Sequence, residues 1–198
     1  MTNDNIPKEV KDNYLDNIKW ITEAKDHNLV VGSEARILYS DQIGRVSIGL
    51  AFNEAIKNKT IQSPIILSRD HHDVSGADSP YRETSNIYDG SAYTADMAVS
   101  TVMGNAGRGC TWVALHNGGG VGFGEAINCG FGLVLDGSQE AHDKALNILS
   151  WDVMNGVSRR SWAGNQYAKQ TIQDIMQNNN KVCVTLPNEV DDKLIDNL

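Results

Sequence analysis

Cysteine is scarce in this chain: Cys110, Cys129 and Cys183 are the only three in 198 residues, and they are widely spaced with no C-x-x-C pair. An odd, dispersed set excludes a disulfide framework and a cysteine metal site, and it points to a reducing cytosol. Long apolar runs are missing as well. None approaches the roughly 20 residues needed to span a bilayer, and the opening Met1-Thr2-Asn3-Asp4-Asn5 is too polar for a signal peptide, so a cytoplasmic protein without membrane attachment is expected. Positive charge is in deficit, with 17 Lys and Arg against 25 Asp and Glu for a formal net charge of -8. The cations are scattered and form no basic stripe to neutralise phosphates, which argues against nucleic acid as a partner. In a reducing compartment the Asn58-Lys59-Thr60 glycosylation match is accidental. There is no Walker A sequence, no H-E-x-x-H, no internal repeat and no Pro/Ser-rich linker. With 40% hydrophobic and 21% charged residues, the chain is read as one domain with one substantial core.

What is present is an alternation of helical and strand patterns. Over residues 9–27 the apolar side chains Val10, Tyr14, Leu15, Ile18, Ile21 and Ala24 recur at helical spacing between Pro7 and Asn28, which predicts an amphipathic helix. Residues 35–41 read as a buried strand, 45–57 as a helix and 63–67 as a second strand. The polar stretch 68–90 has too few apolar anchors for an element of its own and reads as a long functional loop. A helix near 95–104, strands at 111–115 and 132–135, helices at 139–154 and 165–177 and a strand at 182–185 complete the chain. The expectation is a layered α/β domain with a largely parallel sheet flanked by helices. In such sheets ligands gather beyond the carboxyl ends of the strands, so residues 41–45, 68–82 and 116–124 should meet in space.

Glycine is concentrated in one place. Gly118, Gly119, Gly120, Gly122 and Gly124 follow directly on Trp112-Val113-Ala114-Leu115-His116-Asn117, and so much glycine at a strand end implies positive φ or close approach of a ligand to backbone N–H groups. No register satisfies G-x-G-x-x-G, because the last position holds Phe123, Glu125 or Ile127. The loop either binds an anion, a cofactor or another backbone, or it is a tight structural turn or subunit contact.

The densest ionisable cluster is Arg69-Asp70-His71-His72-Asp73, with Arg82 and Glu83 beyond it. Adjacent histidines on an extended chain point to opposite sides, and without a supporting ligand set no metal site is assigned. The alternative for this cluster is structural, with Arg69 paired to Asp70 and the histidines bonded to loop backbone. Arg45, Arg69, Arg82 and Arg108 are candidates for holding a carboxylate in the planar guanidinium fork, or else they form surface ion pairs. Ser75 and Ser79 lack a triad base, and Cys110, before a buried strand, reads as an inert core thiol. Gly156 after Asn155 reads as a left-handed helix C-cap.

Five strings, Arg69-Asp70-His71-His72-Asp73-Val74-Ser75-Gly76, Ser79-Pro80-Tyr81-Arg82-Glu83-Thr84, Asp89-Gly90-Ser91, residues 111–122 and Asn155-Gly156-Val157, closely resemble the urocanase family over roughly residues 14–187. The resemblance implies a hydro-lyase of histidine breakdown that adds water to urocanate to give imidazolonepropionate, with tightly bound NAD as electrophile. A cofactor that serves as electron sink removes the need for a strong protein nucleophile. The resemblance also implies a homodimer in the complete enzyme. It covers only the family's C-terminal portion; the preceding core and the inserted NAD-binding domain have no counterpart here, so weak or absent NAD binding and little activity are expected of the chain alone. Many bacterial members carry a cysteine where this chain has Val74, and the valine form looks like the branch that includes animal enzymes. By carry-over Gly156 is a cofactor contact. The remaining roles are assigned by inference: Arg45, Asp70 and His71 as catalytic groups, Gly120 and Gly122 as cofactor-binding, and Val74, Arg69, Arg108 and His116 as pocket lining. A freestanding non-catalytic module for assembly or small-anion binding is the alternative.

Overall fold

The computed structural model describes residues 8–23, 26, 40–73, 96–117, 127–162, 164–186, 188 and 191–195. In chain order these form α1 (Lys8–Glu23), α2 (Gln42–Lys57), β1 (Ile65–Asp73), α3 (Asp96–Gly107), β2 (Trp112–Asn117), β3 (Ile127–Leu135), α4 (Gln139–Trp162), α5 (Gln166–Asn178) and the short α6 (Asp192–Ile195). The mixed α/β class is as expected. The parallel sheet is not: the three described strands lie in the order β1-β3-β2, and both pairings are antiparallel. β1 and β2 run the same way on either side of α3 but are not neighbours, because β3 turns back from β2 and occupies the place between them. An alternating α and β order is compatible with either arrangement, and only the strand pairing distinguishes them.

Two further expectations change. β1 runs on through the polar residues to Asp73 instead of ending at Leu67, because β3 starts at Ile127 and its first half supplies ladder partners for them. Residues 182–185 form no strand; β propensity without a neighbouring strand to bond does not make one, and Val182 N–H instead donates to Asn179 O at 3.0 Å. The strand expected at 35–41 lies largely outside the described residues, and Asp41 itself is the N-cap of α2, accepting from Gly44 N–H at 2.8 Å.

The core follows from alternation on one strand and periodicity on one helix. Phe131, Leu133 and Leu135 face one side of β3, and they pack with Ala141, Ala145, Ile148 and Leu149 along α4, joined by Val46 and Leu50 of α2 and Leu67 of β1. Burial of each Leu or Ile here contributes about 1.5–3 kcal/mol. Helix α4 begins where Ser138 Oγ accepts Ala141 N–H at 3.0 Å, just after Gly137 turns the chain at φ +84. The same turn is clamped by Asn53, whose Oδ1 accepts Gly137 N–H at 2.9 Å while its Nδ2 donates to Ser138 O at 3.0 Å. The amphipathic stripe of α1 departs from a core role: Leu15, Ile18 and Ile21 are all more than half exposed.

Candidate active site

Beyond Leu149 the inner stripe of α4 turns polar without breaking step. Asp152, Asn155, Gly156 and Arg159 continue the i+3, i+4 spacing of Ala141, Ala145, Ile148 and Leu149, and they meet β1 and α3. Asp152 is the centre, its side chain 2% exposed. Arg69 Nη1 from β1 donates to both its oxygens at 2.8 Å, Asn105 Nδ2 from α3 donates to Oδ1 at 3.1 Å, and Arg45 Nη1 from α2 lies 3.9 Å from Oδ2. A carboxylate so deeply buried is tolerated only with charged and hydrogen-bonded partners, and here three elements supply them. One turn further along, Asn155 Nδ2 donates to Thr101 Oγ1 at 3.0 Å, and Arg159 Nη1 lies 3.4 Å from the same oxygen. Arg45 is steadied from behind, where Nε donates to Ser40 O at 3.0 Å. Next to it the Asp41 cap accepts the Tyr14 hydroxyl at 2.5 Å; burial and then this bond push the Tyr14 pKa up.

The sheet brings its chemistry to one edge. His72, Cys129 and Leu115 lie in register across β1, β3 and β2, and Asp73, Asn128 and His116 form the next row. Since β1 and β2 run the same way, their carboxyl ends share this edge, and residues 118–126 join Asn117 to Ile127 from it. Of the expected convergence of residues 41–45, 68–82 and 116–124, Arg45 and Arg69 meet at Asp152, while residues 74–82 and 118–124 lie outside the described residues. Between Arg69, opposite Phe131, and His72, opposite Cys129, β1 has one residue more than β3; Asp70 and His71 occupy this bulge, a feature over-represented beside active sites. Cys129 is buried in the same region, and burial, reinforced by Asp152 and opposed by Arg69 and Arg159, pushes its thiol up to about 11. It is a neutral thiol at physiological pH. Cys110 is likewise raised by burial. Among the described residues no group of His, Cys, Asp or Glu could hold a metal ion.

A family model, Urocanase C-terminal domain, matches residues 1–174. The chain belongs to the urocanase family. It is similar to the urocanate hydratase of Mus musculus, 63% identical over 192 residues, covering 97% of this chain and 28% of that protein. To the Homo sapiens urocanate hydratase it is 62% identical with the same coverage, and to a probable urocanate hydratase of Caenorhabditis elegans 58% over 193 residues, 98% of this chain and 29% of that one. The chain thus spans less than a third of the length of these curated relatives.

Within this urocanase-family chain, Gly156 is not the helix C-cap its sequence setting suggested. It lies inside α4, which runs on to Trp162, and among the described residues the positive-φ glycines are Gly109, Gly137 and Gly164. The apolar period stops at Leu149, but the helix continues because its polar residues have partners on α3. Gly156 is buried, and no described atom outside its own helix backbone lies within 4 Å of the place a Cβ would take. Arg108 stands apart from the Asp152 cluster, with its guanidinium 4.2 Å from the Trp151 ring centroid and Nη1 donating to Gly104 O at 3.0 Å. Val74, Gly120 and Gly122, with Arg82, Ser75 and Ser79, lie outside the described residues. Asp70, His71 and His116 are placed by backbone register only. Sequence reasoning missed Asp152, Asn105, Thr101 and Arg159; the legible signal was the polar residues at core spacing on a helix, Asp152-Asn155-Gly156-Arg159.

Proposed function

We propose that this chain is the part of a urocanate hydratase that carries substrate-holding residues and one contact to NAD, and that it works within a polypeptide of its relatives' length to convert urocanate and water to imidazolonepropionate. The observation that carries the reading is the pair of arginines gathered on Asp152, Arg69 from the middle of β1 and Arg45 from the first turn of α2, in a urocanase-family chain. In it, Arg45 holds the substrate carboxylate with the two-point geometry of guanidinium, and Asp152 fixes Arg69 beside it. Asp70 and His71 are the polar groups assigned to the imidazole ring. Val74 has no group to transfer a proton and is assigned, with His116, to the pocket lining, and Gly120 and Gly122 are assigned to the cofactor; Arg108, on the Trp151 ring, keeps a pocket role only at the periphery.

The residues present fit NAD in two respects: Gly156 leaves room on the inner face of α4 among the described residues, and Asn105 Oδ1 is a buried acceptor without a donor. When bound, the cofactor supplies an electron-poor ring that withdraws electrons from the imidazole, and the protein needs no nucleophile of its own. A single domain, a homodimeric enzyme and a cytoplasmic setting complete the proposal. Supporting the subunit contact are the exposed Leu15, Ile18 and Ile21 of α1.

The test follows the loss of urocanate absorbance. The polypeptide of full length with NAD should turn the substrate over, and Arg45→Ala should raise KM far more than it lowers kcat. If the full-length protein does not consume urocanate, the chain is a module for assembly or small-anion binding.

A further inference from the structure

Asn105 Oδ1 is the only buried side-chain oxygen or nitrogen among the described residues without a hydrogen-bond partner. The residue is 1% exposed. Its orientation follows from chemistry: the other end of the amide faces Asp152 Oδ1 at 3.1 Å, and a carboxylate bonded to Arg69 accepts and cannot donate, so the donor end must be Nδ2. Oδ1 is then an acceptor held out of water with nothing donating to it, a state that carries its full desolvation cost.

The surroundings are those of a binding seam. Helices α3 and α4 run antiparallel there, with Asn105 opposite Asp152 and Thr101 opposite Asn155. Gly156 lies one turn along from Asp152 on the same face of α4, buried, with no described atom against its missing side chain. An oxygen that needs a donor and a helix position with no described atom against it occur on the same stretch of seam. We propose that Asn105 is a ligand-binding residue whose Oδ1 accepts a hydrogen bond from a neutral, planar N–H brought beside Gly156. This rests on the hydratase reading, which supplies two such groups, the carboxamide of NAD and the ring N–H of urocanate.

A cycle between ligand and side chain in the full-length holoenzyme tests it. Wild type and Asn105→Leu are compared for binding of NAD and of 3-acetylpyridine adenine dinucleotide, in which a methyl group replaces the amide nitrogen. They are compared as well for imidazolepropionate and each of its ring N-methyl derivatives. Wild type should prefer the N–H form of one pair by about tenfold, and Asn105→Leu should lose that preference to within about twofold. Collapse in the dinucleotide pair assigns the donor to the cofactor; collapse in the imidazole pair assigns it to the substrate. Discrimination unchanged by Asn105→Leu in both pairs overturns the inference and leaves an ordered water as the donor. Where Asn105→Leu does not fold, the ratios are read from Asn105→Ser, with Met103→Ala, exposed on the same helix, as control. A wild type with neither bound NAD nor hydratase rate overturns the functional reading and this inference together; an active wild type with unchanged ratios overturns the inference alone.

Discussion

Asp152 shows how one side chain organises a site that its neighbours in sequence do not announce. Its carboxylate is the common partner of Arg69 and Asn105, with Arg45 at 3.9 Å, so its removal takes a shared acceptor from three elements at once. Asp152→Ala should cost about 3–5 kcal/mol in urea unfolding, while Asp152→Asn, which keeps the shape and one acceptor, should cost less. Equal losses would mean that the charge does not matter there. Cys129 gives a second expectation at this scale. Its thiol is raised from the ordinary 9.0 to about 11, so between those values the unfolded chain loses a proton that the folded chain keeps. The folded state then binds more protons, and stability falls as pH rises through that window. Cys129→Ala should flatten the fall in a pH series of melting temperatures. At neutral pH iodoacetamide should label the exposed Cys183 and leave Cys129 unmodified.

Among the elements, the approach of α3 to α4 decides whether the polar seam closes. Gly104 permits it, since a Cβ there would run into the Trp151 ring, the same ring on which Arg108 stacks. Gly104→Ala should therefore cost about 1–3 kcal/mol through overpacking. Gly107, at the end of the same helix, has no described atom within 4 Å of a Cβ and no positive φ, so Gly107→Ala should be neutral or stabilising by up to about 1 kcal/mol. Thermal melts of the two variants side by side check both. The turn before α4 behaves differently, because Gly137 has φ +84 and a Cβ would sit 2.8 Å from Lys57 N; alanine is strained there on both counts.

For the whole molecule, what is exposed matters as much as what is buried. Leu15, Ile18 and Ile21 form an apolar stripe on α1, and Ile66 and Trp112 are exposed on the face of the sheet away from the core. In the proposed reading, this apolar surface is covered by the rest of a longer polypeptide or by a second copy. The chain alone should fold cooperatively yet bind NAD weakly, because Gly156 and Asn105 are few contacts for a dinucleotide; micromolar affinity by calorimetry on the isolated chain would contradict this. If the α1 stripe is a subunit contact, Ile18→Glu in the full-length protein should shift sedimentation from dimer to monomer.

Local patterns settled what local patterns can settle. The helical periods located α1, α2, α3 and α5 to within a few residues, since periodicity and capping residues such as Asp41 and Asn165 act over one or two turns. The long motifs identified the urocanase family. Tertiary structure decided the rest. Whether β1 and β2 pair directly or admit β3 between them depends on hydrogen bonds between strands distant in sequence, which leave no trace in a local period. The polar residues after Leu67 became strand only because β3 was there to bond them. Asp152 and Asn105, 47 residues apart, became the centre of the site because their two helices close on each other, and a buried charge is stable only once its partners from other elements have arrived.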